Sequence, residues 1–226
     1  MKFVNECWAL IPARSGSKTI KNKNIKKINN KPLIKFVLDV LEKNKLKEKI
    51  YITSDSEQIK KIVKDYKKVL FIKRPRNLAK DSSTVEDAVI HLIKSEKLES
   101  YKWVITIQPN SPFIGINEIK KVISLTKKTK ANCIMTVNKN YTDLWVKDNT
   151  NPRLINRLFK NAPRRSQLRN PVYEENSAVY ATRISHLLKT GKIFDKKNEF
   201  IELSRIEGLD INDITDFRIA KSLLEK

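Results

Sequence analysis

The chain has few glycines and cysteines, and this scarcity excludes several kinds of site. Four glycines occur among 226 residues, so neither the clustered glycines of a dinucleotide-binding fingerprint nor the Gly-x-x-x-x-Gly-Lys pattern of a Walker loop is present. Two distant cysteines, Cys7 and Cys133, do not form a disulfide framework or a zinc site and are typical of a reducing compartment. No apolar run approaches the ~20 residues of a membrane span, and the N-terminal run is too short for a signal peptide. We therefore expect a cytoplasmic protein without a membrane partner.

The formal net charge of +22 suggests an anionic partner. Most of the excess is lysine, which is spread over predicted helices rather than gathered into one block, so it indicates a solvated surface. An RNA-binding protein would show clustered arginines and exposed aromatic side chains, whereas Trp8 and Trp103 lie in predicted core strands. We expect no nucleic-acid partner, although a cationic field would attract nucleoside triphosphates and sugar acids.

Apolar runs and helical patterns alternate along much of the chain. Pro32 marks the start of one helix, and Ser83-x-x-Glu86 is a capping box that predicts the start of another. This order predicts an α/β fold with a parallel sheet and helices on both faces. The predicted strands are 8–11, 49–53, 69–72, 103–107, 132–137, 177–182 and 201–203, and the last helix is 215–224.

The regular pattern stops near Asn138. Residues 138–175 are polar, contain three prolines and carry the cluster Arg164-Arg165-Ser-Gln-Leu-Arg169. A loop of this length without structure is uncommon inside a compact domain. We therefore expect an inserted arm within a single domain of residues 1–226, an arm that packs on another subunit or covers the site.

The loop after the first predicted strand has the composition of a phosphate-binding loop. Neither Asp nor Glu occurs between residues 7 and 38, and the segment 15–17, Ser-Gly-Ser, offers hydroxyl and backbone N–H donors at close approach. The alternative is an ordinary basic surface loop on a lysine-rich protein. The cations of this loop are Arg14, Lys18, Lys21 and Lys23.

Polar residues follow four of the predicted strands. They are found at 12–14, 53–55, 73–75 and 108–112, and because ligands of parallel α/β sheets bind beyond the carboxyl ends of the strands, these loops should share a crevice. Each loop alone has a plainer explanation; Asp55, for example, can cap a helix.

A second group of candidates precedes the last helix. Asp213 and Asp216 can be helix caps, whereas Asp210 is less easily explained as a cap. Carboxylate oxygens beside a phosphate crevice suit Mg²⁺. His91 and His186 have the pattern of structural residues, so a metal-assisted displacement at phosphorus needs the fewest assumptions.

Several motifs then occur in a fixed order over nearly the full length. They are Leu10-Ile-Pro-Ala-Arg-Ser-Gly-Ser-Lys-Thr-Ile-Lys-Asn-Lys-Asn-Ile25, Lys31-Pro-Leu-Ile34, Thr53-Ser-Asp55, Arg74-Pro, Leu78-Ala-Lys-Asp81, Gln108-Pro-Asn-Ser-Pro112, Arg165-Ser-Gln167, Asn176-Ser-Ala-Val-Tyr180 and Asp210-Ile-Asn-Asp213. This ordered set resembles the acylneuraminate (CMP-sialic acid) cytidylyltransferases.

The resemblance implies a Rossmann-like nucleotidyltransferase fold, a homodimer, and transfer of CMP from CTP to the anomeric hydroxyl of a sialic-acid-like nonulosonic acid. It implies catalytic roles for Arg14, Lys23 and Asp210, with Mg²⁺ bound by Asp210 and by a second ligand. That second ligand is left open between Asp213, the Asn212 carbonyl and water. The implied nucleotide-binding residues are Arg14, Ser17, Lys18, Lys23, Asn24, Arg74 and Gln108, and the implied sugar-acid residues are Gln108, Arg165, Gln167, Asn176 and Tyr180.

Four departures from the family pattern lie near the predicted sugar-acid site. Asn110 replaces a usual threonine, Ile114 stands where an arginine is often found, Asn212 replaces the second aspartate of Asp-x-Asp, and Ser177 replaces a usual glycine. The exact acid, sialic, legionaminic or another nonulosonate, therefore stays open. The alternatives are a cytidylyltransferase for a deoxyoctulosonate, a nucleotidyltransferase for a sugar phosphate, an RNA-binding protein, and a relative without activity.

Overall fold

The computed structural model describes residues 7–44, 49–147, 152–154 and 171–225. Its core is a seven-stranded sheet in the order β11-β7-β10-β6-β1-β4-β5, accompanied by two small two-stranded sheets, β2-β3 and β8-β9. The strands are β1 (Cys7–Pro12), β2 (Lys27–Ile28), β3 (Lys31–Pro32), β4 (Ile50–Ser54), β5 (Val69–Lys73), β6 (Trp103–Ile107), β7 (Cys133–Asn140), β8 (Trp145–Lys147), β9 (Pro152–Leu154), β10 (Val172–Arg183) and β11 (Asn198–Leu203).

Helices cover both faces of the central sheet, as predicted. One apolar cluster joins α1, α2 and α4 to one face, and a second joins α3 and α5 to the other. None of the helices in the described ranges has the length and apolarity needed to cross a membrane. The helices are α1 (Leu33–Lys43), α2 (Glu57–Val63), α3 (Val85–Ser95), α4 (Ile116–Thr126), α5 (Ile184–Thr190) and α6 (Ile214–Leu224).

The central strands are buried on both faces, which explains their continuous apolar sequences. In β1, Trp8 and Leu10 pack in the cluster of α3 and α5, whereas Ala9 and Ile11 pack in that of α1, α2 and α4. Cys7 and Cys133 are buried core residues, in agreement with the sequence analysis.

The strand β10 departs from the predicted parallel order. It runs antiparallel to both β6 and β7, so the sheet is mostly rather than entirely parallel. It also begins at Val172 instead of residue 177, and an irregularity in its pairing lies between Glu175 and Tyr180. Ser177, at this irregularity, has a left-handed backbone with φ of 59°. This conformation favours glycine.

The predicted end of regular structure at Asn138 is wrong, because β7 continues to Asn140. The described parts of 138–175 form the end of β7, the β8-β9 pair and the start of β10. The assignment of this segment as an inserted arm stays a prediction.

The predicted capping box is also misplaced by one residue. Helix α3 is capped by Thr84, whose side chain accepts from the Asp87 N–H while the Asp87 carboxylate accepts from the Thr84 N–H. Both Ser83/Glu86 and Thr84/Asp87 have the required spacing, but the helix begins at Val85, which leaves the Ser83 hydroxyl to donate to the Asn77 carbonyl.

A third, smaller apolar cluster fixes the loop after β1 against the C-terminal helix. Ile20 and Ile28 pack there with Ile211, Phe217 and other buried residues. The cationic loop and the acidic segment before α6 are therefore held together by apolar burial as well as by polar contacts.

Candidate active site

The four strands whose ends were predicted to converge are neighbours in the sheet. They lie in the order β6-β1-β4-β5 and all run parallel, so the loops that follow them meet at one edge. The Ala13 N–H donates to the Thr53 carbonyl at 3.0 Å, and the Arg74 N–H donates to the Ser54 carbonyl at 2.9 Å. These backbone hydrogen bonds fix the positions of the loops relative to one another.

Asp55 fixes the loop after β1. Its carboxylate accepts from the Ser15 N–H at 2.8 Å and also from the Ser15 hydroxyl. Partial burial raises the pKa of Asp55, but the Ser15 hydrogen bonds outweigh it and hold that pKa below its ordinary value. Asp55 is therefore an anchor of the loop rather than a helix cap, since Ser56 caps α2.

A polar cleft of about 270 Å³ opens between these loops. Within the described part of the chain, the Asn24 Oδ1 and Arg74 Nε atoms are buried without a hydrogen-bond partner, which points to a bound polar ligand. Six of the seven predicted nucleotide-binding residues line this cleft: Arg14, Ser17, Lys23, Asn24, Arg74 and Gln108.

Two predicted phosphate-binding cations are paired with one exposed carboxylate. Arg14 Nη1 lies 3.0 Å from Asp81 Oδ1 and also donates to the Lys80 carbonyl at 3.1 Å, while Lys18 Nζ lies 3.4 Å from Asp81 Oδ2. Lys18 is highly exposed and, unlike Arg14, is not part of the cleft lining. A polyphosphate reaching these cations would compete with Asp81.

Arg74 is held below the cleft. It is buried, and its Nη2 donates to the Thr53 carbonyl at 3.1 Å. Burial lowers the pKa of Arg74, while the Asp55 charge raises it in part; an arginine nonetheless stays charged at neutral pH. This arrangement supplies a fixed positive charge with little conformational freedom.

Lys23 and the acidic segment are in direct contact. Lys23 Nζ donates to the Ile211 carbonyl at 2.6 Å, and the Thr19 hydroxyl donates to the Asn212 carbonyl. Burial lowers the pKa of Lys23, and the nearby Asp210 and Asp216 charges oppose this effect. The loop after β1 and the segment before α6 therefore form one site.

Asp210 is held at both carboxylate oxygens. Asn110 Nδ2 donates to Oδ1, and Asn212 Nδ2 donates to Oδ2 at 2.9 Å. Burial raises the pKa of Asp210, while the Asn212 hydrogen bond and the Lys23 charge lower it in part. Because a carboxylate offers about four lone-pair positions, these two amides leave acceptor capacity for a further ligand.

Asp213 is the N-cap of α6. Its Oδ1 accepts from the Thr215 N–H at 2.7 Å and the Asp216 N–H at 3.0 Å, which matches the helix-cap alternative of the sequence analysis. Among the described residues, no group of three or more His, Cys, Asp or Glu side chains could hold a metal ion. Metal binding by Asp213 stays a prediction.

A second cleft, of about 530 Å³, lies on the other side of Asp210. Asn176 lines it, and its Oδ1 accepts from the Thr136 hydroxyl at 2.7 Å. Tyr180 lies beneath it, buried, with its hydroxyl donating to Glu175. The side-chain hydrogen bonds of Asn176 and Tyr180 therefore already stabilise β10 and its surroundings.

Of the other three predicted sugar-acid residues, Gln108 lines the first cleft and not the second. Arg165 and Gln167 lie outside the described residues. Two side chains that shape the site were not among the predicted site residues. Asn110 was noted in its motif and as a departure from the family pattern, and its position shortly after β6 is the signal that could have indicated a site residue. Asn138, which lines the second cleft, was taken as the end of regular structure, and no sequence signal marked it.

Residues 8–221 match the cytidylyltransferase family model. The N-acylneuraminate cytidylyltransferase of Escherichia coli O18:K1:H7 is 28% identical over 228 residues, or 96% of this chain and 52% of that protein; the chain spans about half of its length. The CMP-N,N'-diacetyllegionaminic acid synthase of Legionella pneumophila is 26% identical over 222 residues, or 96% of this chain and 95% of that protein.

A solved structure supports the fold. The CMP:2-keto-3-deoxy-manno-octonic acid synthetase complexed with CTP has a TM-score of 0.68 at 13% identity, covering 97% of this chain and 98% of that one. At this identity the likeness shows the fold alone, here a Rossmann-like sheet. The family match, in contrast, includes both the loop after β1 and the segment around Asp210, and on this ground the chain belongs to the cytidylyltransferase family.

Proposed function

We propose that this protein transfers CMP from CTP to the anomeric hydroxyl of a nonulosonic acid, releasing pyrophosphate. The observation that carries the proposal is the 2.6 Å contact of Lys23 Nζ with the Ile211 carbonyl, which joins a cationic cleft to the carboxylate of Asp210 in a member of this family. Relatives named for acylneuraminate and legionaminic acid support the class of acceptor.

In the proposed reaction, the anomeric oxygen of the acid attacks the α-phosphorus of CTP. A phosphorus–oxygen bond forms as the hydroxyl proton is lost to solvent. The bond to the oxygen that bridges the α- and β-phosphorus breaks, and its electron pair leaves with pyrophosphate. Arg14 and Lys23 would stabilise the charge that develops on this leaving group, which is the main source of catalysis in phosphoryl transfer. The same cations reduce the repulsion between the triphosphate and the carboxylate of the acid.

We also propose that Asp210 holds Mg²⁺. Magnesium sites at nucleotides typically use one or two carboxylates together with phosphate oxygens and water, and a half-buried carboxylate at the rim of a cationic cleft fits that donor set. Bound Mg²⁺ would act as a Lewis acid on the phosphoryl oxygens. In this proposal Asn110 and Asn212 orient Asp210 toward the cleft.

We propose that the acid occupies the space beside Asp210 and Asn176, and that the protein acts as a cytoplasmic homodimer. Because the second cleft borders Asp210, an acceptor bound there would be close to the triphosphate cleft. The roles of Arg165 and Gln167 toward the acid remain part of this proposal.

Pyrophosphate release tests the proposal. The purified protein is incubated with CTP and Mg²⁺ and with each member of a panel of nonulosonic acids, a deoxyoctulosonate and a hexose 1-phosphate. We expect release with at least one nonulosonic acid, and mass spectrometry should identify the CMP-sugar. Release only with the deoxyoctulosonate or the sugar phosphate would assign the alternative acceptor, and no release with any acceptor despite CTP binding would identify a relative without activity.

A further inference from the structure

Asn110 occupies the centre of the contact between the two halves of the site. It follows β6 closely and is only 8% exposed. Its Nδ2 donates to Asp210 Oδ1 and to the Ile211 carbonyl, the latter at 3.1 Å, while its own carbonyl accepts from the Ile211 N–H at 3.0 Å. One side chain and its backbone thus fix two consecutive residues of the acidic segment.

The Ile211 carbonyl is shared between two donors. It accepts from Lys23 Nζ at 2.6 Å and from Asn110 Nδ2 at 3.1 Å. Asn110 therefore touches both the carboxylate of Asp210 and the carbonyl to which the Lys23 ammonium is bound. A shift of the Asn110 amide would move the two groups relative to each other.

We infer that Asn110 is a positioning residue that sets the place of Asp210 relative to Lys23. This inference rests on the proposed function. The chemistry of the amide suits the task, because a neutral donor fixes the direction of a carboxylate without neutralising the negative charge that would hold Mg²⁺. A lysine in the same place would pair with that charge, and an alanine would leave Asp210 Oδ1 without its donor.

The other amide at Asp210 is less constrained. Asn212 is exposed, and its backbone N–H donates to Asp216 Oδ2 at 2.8 Å. Its side chain can exchange its hydrogen bond to Asp210 for one to water at small cost. Asn110 is buried, and both its side-chain amide and its backbone carbonyl are hydrogen-bonded to the acidic segment, so the fixed restraint on Asp210 comes from Asn110.

The test measures equilibrium binding of CTP by calorimetry as a function of Mg²⁺ concentration, without any acceptor acid. Asn110→Ala should raise the Mg²⁺ concentration for half-maximal CTP binding by about tenfold or more, as for other residues that orient a metal ligand. Asn110→Ser, whose hydroxyl is too short to reach Asp210, should give a similar shift and serves if the alanine variant folds poorly. Circular dichroism and the thermal midpoint check folding.

Asn132→Ala is the matched control. The Asn132 amide also donates to an aspartate, Asp195, and its backbone carbonyl also accepts a hydrogen bond, here from the Arg183 N–H at 2.9 Å, but it precedes β7 at the opposite end of the sheet. Its Mg²⁺ requirement should equal that of the wild type. A merely structural loss at Asn110 would lower the thermal midpoint and leave the Mg²⁺ requirement unchanged, which would overturn the inference.

A second experiment tests whether Asn110 acts through Asp210. In an Asp210→Asn background, adding Asn110→Ala should change the Mg²⁺ requirement by less than about twofold, because coupled residues give non-additive effects. An undiminished tenfold shift in that background would overturn the inference. If the wild type itself does not bind CTP, the proposed function and this inference both fail; if it binds CTP and Asn110→Ala matches it, only the inference fails.

Discussion

Replacing Gly208 with alanine should destabilise the protein through a clash with two hydrogen-bonded amides. A Cβ atom at Gly208 would lie 2.4 Å from Asn138 Oδ1, 2.5 Å from Asn176 Nδ2 and 2.7 Å from Asn138 Nδ2. Ordinary contacts of carbon with nitrogen or oxygen are roughly 1 Å longer, since optimal separations are about 3.5 Å. One or both amides must therefore move.

Neither amide can move without losing partners. Asn138 Nδ2 donates to the Leu203 and Ser204 carbonyls at 3.0 and 2.8 Å, and Asn176 Nδ2 donates to Asn138 Oδ1 at 3.0 Å. Overpacking costs about 1–3 kcal/mol, and each lost hydrogen bond adds about 1 kcal/mol. We expect a loss of about 2–4 kcal/mol in the free energy of unfolding, which for a chain of this size corresponds to a thermal midpoint lower by about 5–15 °C.

The measurement is urea unfolding followed by circular dichroism, with a thermal scan beside it. Gly16→Ala is the control, because a Cβ there meets nothing within 4 Å, and its free energy of unfolding should stay within about 0.5 kcal/mol of the wild type. Since Gly208 lies two residues before Asp210, pyrophosphate release should also fall. A Gly208→Ala variant as stable as the Gly16→Ala variant would refute the reasoning that the amide pair is rigid.

Three further expectations follow from single contacts. In a pyrophosphate-release assay, Lys23→Ala should lower kcat by about 10²-fold, as for loss of one strong transition-state contact. Lys21→Ala, on the exposed part of the same loop, should keep most of the activity. A near-normal kcat in Lys23→Ala would contradict the role of Lys23. Asp213→Asn keeps a helix-capping side chain, so the free energy of unfolding and the Mg²⁺ requirement should both stay unchanged; a higher Mg²⁺ requirement would instead make Asp213 a metal ligand. Burial raises the pKa of the Cys133 thiol from 9.0 to about 12. The stability that the buried thiol contributes is therefore complete below pH 9 and lost as the pH rises toward 12. The free energies of unfolding of the wild type and Cys133→Ala should differ less at high pH than at pH 7, and a constant difference would contradict this.

Local patterns in the sequence predicted most of the fold. The strands β1, β4 and β6 are buried on both faces and therefore have continuous apolar sequences, and the helices that cover the sheet have one apolar side. The direction of β10 could not be predicted in this way, because the choice of a parallel or antiparallel neighbour depends on the rest of the sheet. Its start at Val172 was not predicted, because several residues between Val172 and Ser177 are exposed and Ser177 itself has a left-handed backbone.

Site residues that are close together in the sequence could be predicted from local patterns, whereas contacts between residues distant in the sequence could not. The cations of the loop after β1 stand within ten positions of one another, so the sequence could predict a phosphate-binding loop there, with an ordinary basic surface loop as the alternative. The hydrogen bond from Asn110 to Asp210 spans 100 positions, and no local pattern encodes it. In the same way, the two capping pairs at the start of α3 were equivalent in sequence, and only the position of Val85 in the helix distinguished them.

The contacts around Asp210 give a common physical meaning to two departures from the pattern of the resembled family. Asn110 and Asn212 stand where that pattern usually has a threonine and an aspartate, and both donate to the carboxylate of Asp210. An aspartate at position 212, with its oxygens about 3 Å from those of Asp210, would repel it and could not donate a hydrogen bond unless protonated. Asn212 therefore adds an orienting contact to Asp210 and leaves the site with one negative charge less than an aspartate would. Under the proposed function, the cations Arg14, Lys23 and Arg74 would then offset a larger share of the triphosphate charge, and bound metal a smaller share.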